Sequence, residues 1–266
     1  MWTLDIRTLF LTLFLVNVVL TLMLFTFWRS QKTYNGFRTW MLSLLVTSCG
    51  YFMYVIGGSL PVLLYSTVAD LVIVLSVMMR LDSTGRYFRS RALPRIIYCI
   101  LIPAVLLLLW FTFRVDSQLM RGVIIGVLIV PSFVATSLIA IRFGEPETRS
   151  LRYSFAAALL VTALFWTMIV VNAIVTPGDH SLGGPDPINP IFFIVTILMD
   201  IVATCSFLML NMARSQEELK KSEERYRNLA DNHPDYILVL GREFIRYANP
   251  ATRLLGPLSG NPSIPS

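Results

Sequence analysis

Seven stretches of this chain each run for about twenty residues with almost no charge, the length an α-helix needs to cross the roughly 30 Å hydrocarbon core of a bilayer. They lie near Ile6–Trp28, Arg38–Ile56, Leu60–Met79, Leu93–Phe113, Gln118–Ile141, Leu151–Val175 and Ile188–Ala213. Inside a bilayer the backbone must satisfy its own hydrogen bonds, so runs of this kind fold as helices. The balance of residues agrees, with 55% hydrophobic and only 14% charged over 266 positions. Soluble domains carry about 25% charged residues. The second and third stretches meet at Gly57-Gly58-Ser59-Leu60-Pro61, which reads as a tight hairpin rich in helix breakers. The first apolar run is longer than a signal-peptide core and no small-residue cleavage site follows it, so it reads as a span. Phe25, Phe27 and Trp28 end that span as an aromatic interface. The expected fold is an all-α membrane protein built on a seven-transmembrane-helix bundle.

Orientation follows from the basic residues. Alternate loops hold Arg29, Lys32 and Arg38, then Arg80, Arg86, Arg89, Arg91 and Arg95, then Arg142, Arg149 and Arg152, then Arg214, Lys220 and Lys221. The opposite side holds Arg7, Arg114 and Arg121. Positive residues mark the cytoplasmic side, which places the N-terminus outside, the C-terminus in the cytoplasm, and the chain in the plasma membrane as a multi-pass protein. The net charge of +6 then reads as a topology signal matched to anionic headgroups of the lipid bilayer. Because these residues are spread over separate loops, nucleic acid is not an expected partner.

Two acids fall in mid-span, Asp70 in the third stretch and Asp200 in the seventh. Ionisable groups at that depth are costly and face the bundle interior. One reading is a paired polar site for protons, a cation or a small polar ligand. The other is that each acid bonds a neighbouring helix, through Asn17, Asn172 or the other acid. Arg121 is a candidate counter-ion, although its place near the outer end of the fifth stretch also lets it snorkel to water. The long outer connection between the sixth and seventh stretches carries Asp179, His180 and Asp186. These three are candidates for metal binding or pH sensing, but they lack a ligand spacing and the surrounding Gly and Pro make a turn on their own account.

Several chemistries are excluded. The three lysines, Lys32, Lys220 and Lys221, all lie outside the spans, so a retinal Schiff base in the seventh helix has no anchor. Neither histidine, His180 or His233, lies in a span, which removes bis-histidine haem ligation in the bundle. Cys49, Cys99 and Cys205 fall within spans without disulfide or metal spacing and read as small buried apolar groups.

After Met212 the chain turns from apolar to charged. Met212, Leu219 and Tyr226 recur every seven residues, with Leu229 in the following d position. Glu217→Lys221 and Glu223→Arg227 are i,i+4 pairs in the favourable order. The seventh span is expected to continue as a helix, either paired with its twin in a short parallel coiled coil or single and solvated. Beyond it, Ser222-Glu223-Glu224-Arg225-Tyr226-Arg227-Asn228-Leu229 and Asn232-His233-Pro234-Asp235-Tyr236-Ile237 resemble the opening of a PAS domain in prokaryotic sensor kinases. Ile237–Leu240 fits the first strand of that pattern and Gly241-Arg242-Glu243 its hairpin turn. Phe244–Pro250 fits the second strand with its terminal Asn-Pro, and Ala251–Gly256 the first helix. The resemblance covers about a third of such a domain. The chain then gives Pro257–Ser266, a Pro/Ser/Gly tail that reads as disordered. Two strands and one helix cannot close a PAS core, so no family cofactor carries over to any residue.

Leu4–Leu9 and Tyr34–Trp40 more faintly resemble the seven-helix input regions that precede PAS, histidine-kinase or diguanylate-cyclase modules. The expected organisation is a seven-helix sensory domain over 1–213, a signalling helix over 214–232, a truncated PAS start over 233–256 and the tail over 257–266. The resemblance implies a membrane input module that relays a stimulus to a PAS domain and an output enzyme, a histidine kinase of a two-component system before a diguanylate cyclase. No catalytic residue, metal site or cofactor is expected in this chain, which is not itself read as an enzyme. Its expected partners are a second copy through the linker helix and a cytoplasmic kinase or response regulator. The competing expectations are a small-solute or ion transporter or channel, with Asp70 and Asp200 on its path, and a nonfunctional truncated fragment. Pro103 and Pro131 lie inside spans and are expected to kink them.

Overall fold

Long uninterrupted helices dominate the computed structural model, which describes residues 6–57, 63–89, 92, 95–115, 117–144, 146–175, 188–235, 237–240 and 245–255. Helix α1 spans Ile6–Ser30 and α2 Phe37–Val55. A π-helical turn, Leu63–Val68, runs into α3, Ala69–Arg89. A 3₁₀ segment, Arg95–Ile100, leads into α4, Leu101–Phe113. Helix α5 covers Gln118–Phe143, α6 Arg149–Val175, and α7 runs for 44 residues from Ile188 to Asp231. Helix α1 packs on α2, α2 on α3, α3 on α5, and α5 on both α4 and α6.

The chain is a mostly helical membrane protein. Among the described residues four helices are long and apolar enough to cross a bilayer: Ile6–Ser30, Leu119–Phe143, Pro146–Asn172 and the apolar part of Pro190–Asp231. The outward faces are apolar, with Leu15, Val19, Leu106, Trp110, Leu164, Val171, Leu198 and Met209 all exposed. The interior holds the polar groups, the reverse of a soluble fold. Helices α2 and α3 fall below that apolar threshold because they supply this interior. Ser43, Thr47 and Ser48 of α2 and Asp70, Ser76, Arg80, Asp82, Ser83 and Thr84 of α3 are buried. Helix α4 has 13 residues, about 20 Å of α-helix. The six 3₁₀ residues before it add about 12 Å. The winding changes just before Pro103, whose missing N–H would otherwise bond the turn below. Pro103 therefore sits in the first turn of α4 and does not interrupt its interior, whereas Pro131 does lie inside α5.

Phe207 of α7 organises the core. Its ring centroid lies 4.8 Å from Trp40, 5.3 Å from Tyr87, 5.9 Å from Phe155 and 6.2 Å from Phe37, so one side chain ties α7 to α2, α3 and α6. Tyr87 also donates to the Leu210 carbonyl at 2.9 Å. Gly36 caps the start of α2 with φ +95°, where a Cβ would lie 2.2 Å from the Ser83 carbonyl oxygen. Only glycine fits that left-handed turn at that distance from α3, and Ser83 donates back to the Gly36 carbonyl at 2.8 Å.

Three expectations need correction. Arg80 and Arg152, read as loop charges, are 3% and 7% exposed. Arg80 lies in α3, which continues to Arg89, and Arg152 donates at 3.0 Å to the Ile141 carbonyl near the end of α5, a favourable place for a cation. Cys49 and Cys99 are exposed rather than buried, and Cys205 is intermediate.

The chain divides into two units, Met1–Met212 and Ala213–Ser266. The second contains the last part of α7, then β1 (Leu238–Leu240) and β2 (Ile245–Ala248), paired antiparallel with Leu238 opposite Ala248 and Val239 opposite Tyr247. A 3₁₀ turn, Pro250–Leu255, follows. Asn249, 1% exposed, ties this unit together. Its amide nitrogen donates to the carbonyls of Ala230, His233 and Asp235 at 3.2, 3.2 and 2.8 Å, and its oxygen accepts from the Ile237 N–H at 3.0 Å. The expected hairpin turn over Gly241-Arg242-Glu243 and the tail over 257–266 lie outside the described residues.

Candidate functional site

Two buried acids anchor the polar interior, each on a partner the sequence reading did not assign. Asp200, on α7 about 18 Å from its start, accepts from both terminal nitrogens of Arg80, at 2.5 and 3.5 Å. Both are buried, at 8% and 3% exposure, and the pair links α3 to α7. Arg80 also reaches Thr47 at 3.4 Å, and its guanidinium lies 5.7 Å from the Trp40 ring centroid. Thr47 in turn bonds Ser76 at 2.7 Å. A guanidinium in such a place must find acceptors or leave a buried charge uncompensated; carboxylate and hydroxyl serve its two terminal nitrogens, while Nε has no hydrogen-bond partner among the described residues.

Asp70 has a different neighbourhood. Tyr54 of α2 donates its hydroxyl to the Asp70 carboxylate. Arg121, 6% exposed, lies within electrostatic range of both Asp70 and Tyr54 and donates at 3.5 Å to the Phe111 carbonyl. It therefore turns inward and does not snorkel to water. Thr67, one turn before Asp70, bonds Thr112 of α4 at 2.8 Å. Helices α2, α3, α4 and α5 thus each bring a polar group to this end of the bundle. The π-helical turn over Leu63–Val68 sits directly before Asp70, and such turns gather at functional positions.

Tyr51 lies one turn before Tyr54 on the same helix. Phe10 of α1 packs against both phenols, with centroids 4.6 Å from Tyr54 and 6.2 Å from Tyr51, and against Phe193 of α7 at 4.8 Å. Asp70 and Asp200 therefore bond separate partners.

The other candidate positions fall as follows. Asn17 is fully buried but donates to the Leu13 carbonyl of its own helix at 2.9 Å, and its side-chain oxygen has no hydrogen-bond partner among the described residues. Asn172 is half-buried near the end of α6. Asp179, His180 and Asp186 lie outside the described residues. Met212, Leu219, Tyr226 and Leu229 lie along α7 with 44%, 70%, 70% and 62% of their surface exposed. Lys221 pairs with Glu217 on that helix. In the second unit Tyr247 donates to Asp231, a bond that holds its phenol above the usual tyrosine range.

Tyr51, Tyr54, Thr47 and Ser76 carry no expectation from the sequence, and Arg80 reads there as a loop charge. One signal was available: Thr47, Tyr51 and Tyr54 follow i, i+4, i+7 spacing, a polar stripe along one face of an apolar helix. No protein family, curated protein or solved structure matches this chain.

Proposed function

We propose that this chain is the membrane-embedded input module of a signal-transduction protein, relaying a stimulus along α7 to the start of a PAS domain and onward to an output enzyme. One observation carries the reading: Asp200, locked to Arg80 inside the bundle, stands on the same unbroken helix that ends at Asp231 beside the strand pair. A change at that ion pair acts on a helix that leaves the apolar part of the chain. In this reading α1–α7 are seven crossings, with the N-terminus outside. Helices α2 and α3 cross despite their polar content because those groups bond neighbouring helices, as in Thr47–Ser76 and Arg80–Asp200, or carbonyls of their own turn, as in Ser43, Ser48 and Thr84. The order of strand, strand and short helix, with Asn249-Pro250 at the junction, supports the PAS resemblance. A histidine kinase is the output that resemblance favours over a diguanylate cyclase, supplied beyond this segment or by a cytoplasmic partner.

The exposed stripe of Met212, Leu219, Tyr226 and Leu229 would pair with its twin in a homodimer. Cysteine crosslinking in membranes tests both ideas. In a variant lacking the three native cysteines, single cysteines at Leu219 or Tyr226 should form disulfide dimers faster than those at Glu224 or Asn228. Adding Asp200→Asn should change that ratio. Equal rates at all four positions, or a ratio indifferent to Asp200→Asn, would reject the relay helix. A second reading, a small-solute or ion transporter, draws on the same buried acids. Solute flux in proteoliposomes that vanishes with both Asp70→Asn and Asp200→Asn would select it instead.

A further inference from the structure

We propose that Arg89, Arg142 and Phe143 form a binding site for the phosphate of an anionic phospholipid where α3 and α5 end. The site needs only that these helices end at a membrane surface, and it stands apart from the sensory reading. Arg89 is the last residue of α3, and Arg142 and Phe143 are the last two of α5. The Arg89 guanidinium lies 4.6 Å from the centre of the Phe143 ring, and the Arg142 guanidinium lies 5.8 Å from it. At the same end of the bundle Lys32 meets Tyr34, Arg38 meets Trp28 and Arg149 meets Tyr153, one cation to each ring. Among the described residues only Phe143 gathers two. Both of its arginines are exposed, and neither has an ion pair among the described residues. Asp82, the buried acid near the end of α3, is taken by Arg86 at 2.7 Å.

An aromatic face attracts a cation through its quadrupole, but it carries no net charge to offset two guanidiniums. Carbonyls at the helix ends offset part of that charge, yet Arg89 reaches across from α3 to the ring on α5. A phosphate supplies what is missing, because its oxygens accept from both guanidinium forks at once. The shared ring holds those forks in place beforehand, which reduces the freedom lost on binding. The rest of the site favours a lipid over a free anion. Val127, Pro131, Leu138 and Arg142 are all exposed, and their spacing of four, seven and four residues keeps them on one face of α5. That stripe gives an acyl chain an apolar wall ending at the Arg142 fork, where the headgroup phosphate would sit. Basic pockets between membrane helices on the cytoplasmic side suit anionic headgroups for the same reason.

Native mass spectrometry of the full chain, equilibrated in micelles with equimolar phosphatidylglycerol and phosphatidylcholine, reads the lipid preference directly. The parent should retain phosphatidylglycerol over phosphatidylcholine. Arg89→Gln with Arg142→Gln should lower that preference by about tenfold or more, the size expected for two basic groups at an anionic surface. Arg38→Gln with Arg149→Gln removes the same charge from two single-cation rings and should leave most of the preference in place. An equal loss in both pairs would overturn the site, since the preference would then follow net charge alone. No preference in the folded parent would overturn it as well. Phe143→Leu keeps every charge but releases both guanidiniums, so it should also weaken retention. Should the Arg89→Gln, Arg142→Gln variant fail to fold, Phe143→Leu decides, and unchanged retention there refutes the site. Inorganic phosphate added at the concentration of the lipid should displace none of it, and displacement would overturn the assignment to a lipid. The α7 crosslinks are read separately, so this site and the sensory reading can each fail alone.

Discussion

Replacing Asp200 by leucine leaves the Arg80 guanidinium, 3% exposed, without the carboxylate it bonds at 2.5 Å. Breaking a buried pair from one side typically costs about 3–5 kcal/mol. The lower end applies here, because Arg80 keeps Thr47 at 3.4 Å and the Trp40 face at 5.7 Å, and a desolvated cation–π contact alone contributes about 2 kcal/mol. Asp200→Leu is therefore expected to destabilise the bundle by about 3 kcal/mol. Arg80→Met strands the opposite charge with fewer compensating contacts and should cost somewhat more. The double variant Arg80→Met, Asp200→Leu removes both charges, and such replacements are often neutral or stabilising by about 1–4 kcal/mol. Reversible unfolding in mixed micelles, followed by circular dichroism, gives all four corners of the double-mutant cycle. A coupling energy of several kcal/mol is the expected outcome. Additive single effects, each below about 1 kcal/mol, would mean that the two side chains do not form a buried pair and would remove the premise of the α3–α7 lock.

Gly36→Ala puts a Cβ 2.2 Å from the Ser83 carbonyl oxygen at φ +95°. Strain of this kind costs on the order of 1–3 kcal/mol, so the same unfolding assay should register it, and an unchanged midpoint would contradict the α2–α3 approach described for Gly36. In the second unit the Tyr247 phenol is held above its usual range by its bond to Asp231. A raised folded value means that the contribution is complete below the ordinary tyrosine pKa of about 10. It is lost as the pH rises through the higher folded value. Amide exchange at Ile237 and Asn249, corrected for intrinsic base catalysis, should accelerate across that alkaline window. In Tyr247→Phe the step should be gone, and its persistence there would assign it to another group.

Much of the fold was legible in the sequence because apolar runs of membrane length leave the backbone few alternatives. The limits of α1, α5 and α6 follow from where those runs stop. The interior was less legible, and Arg80 shows why. A basic residue at the end of an apolar run reads as an interfacial anchor, and only Asp200, 120 positions later in the chain, makes its burial tolerable. Arg152 misled in the same way, its acceptors being carbonyls at the end of another helix. Tyr51 and Tyr54 read as apolar because aromatic residues belong in membrane helices on that account, and the Tyr54 hydroxyl gains a role only because Asp70 accepts from it. Cys49 and Cys99 were assigned inward on composition, yet which side of a helix faces lipid depends on its neighbours.

The two acids differ in what their partners do when a proton arrives. The Tyr54 hydroxyl can bond Asp70 as a donor to the carboxylate or as an acceptor from the acid, since a phenol has both capacities. Protonation there exchanges one hydrogen bond for another. Arg80 has donors only, so protonating Asp200 weakens a charge-assisted pair with nothing to replace it. Asp70 is thus built to accept a change of state at small structural cost, while Asp200 converts the same change into stress between α3 and α7. The tolerant acid is bonded from α2 and the intolerant acid from α3. The intolerant acid stands on α7, the helix that continues past Met212. Neutralising each acid in turn tests this asymmetry: the α7 crosslinks should shift with Asp200→Asn and keep the parent ratio with Asp70→Asn, and an equal shift in both would refute it.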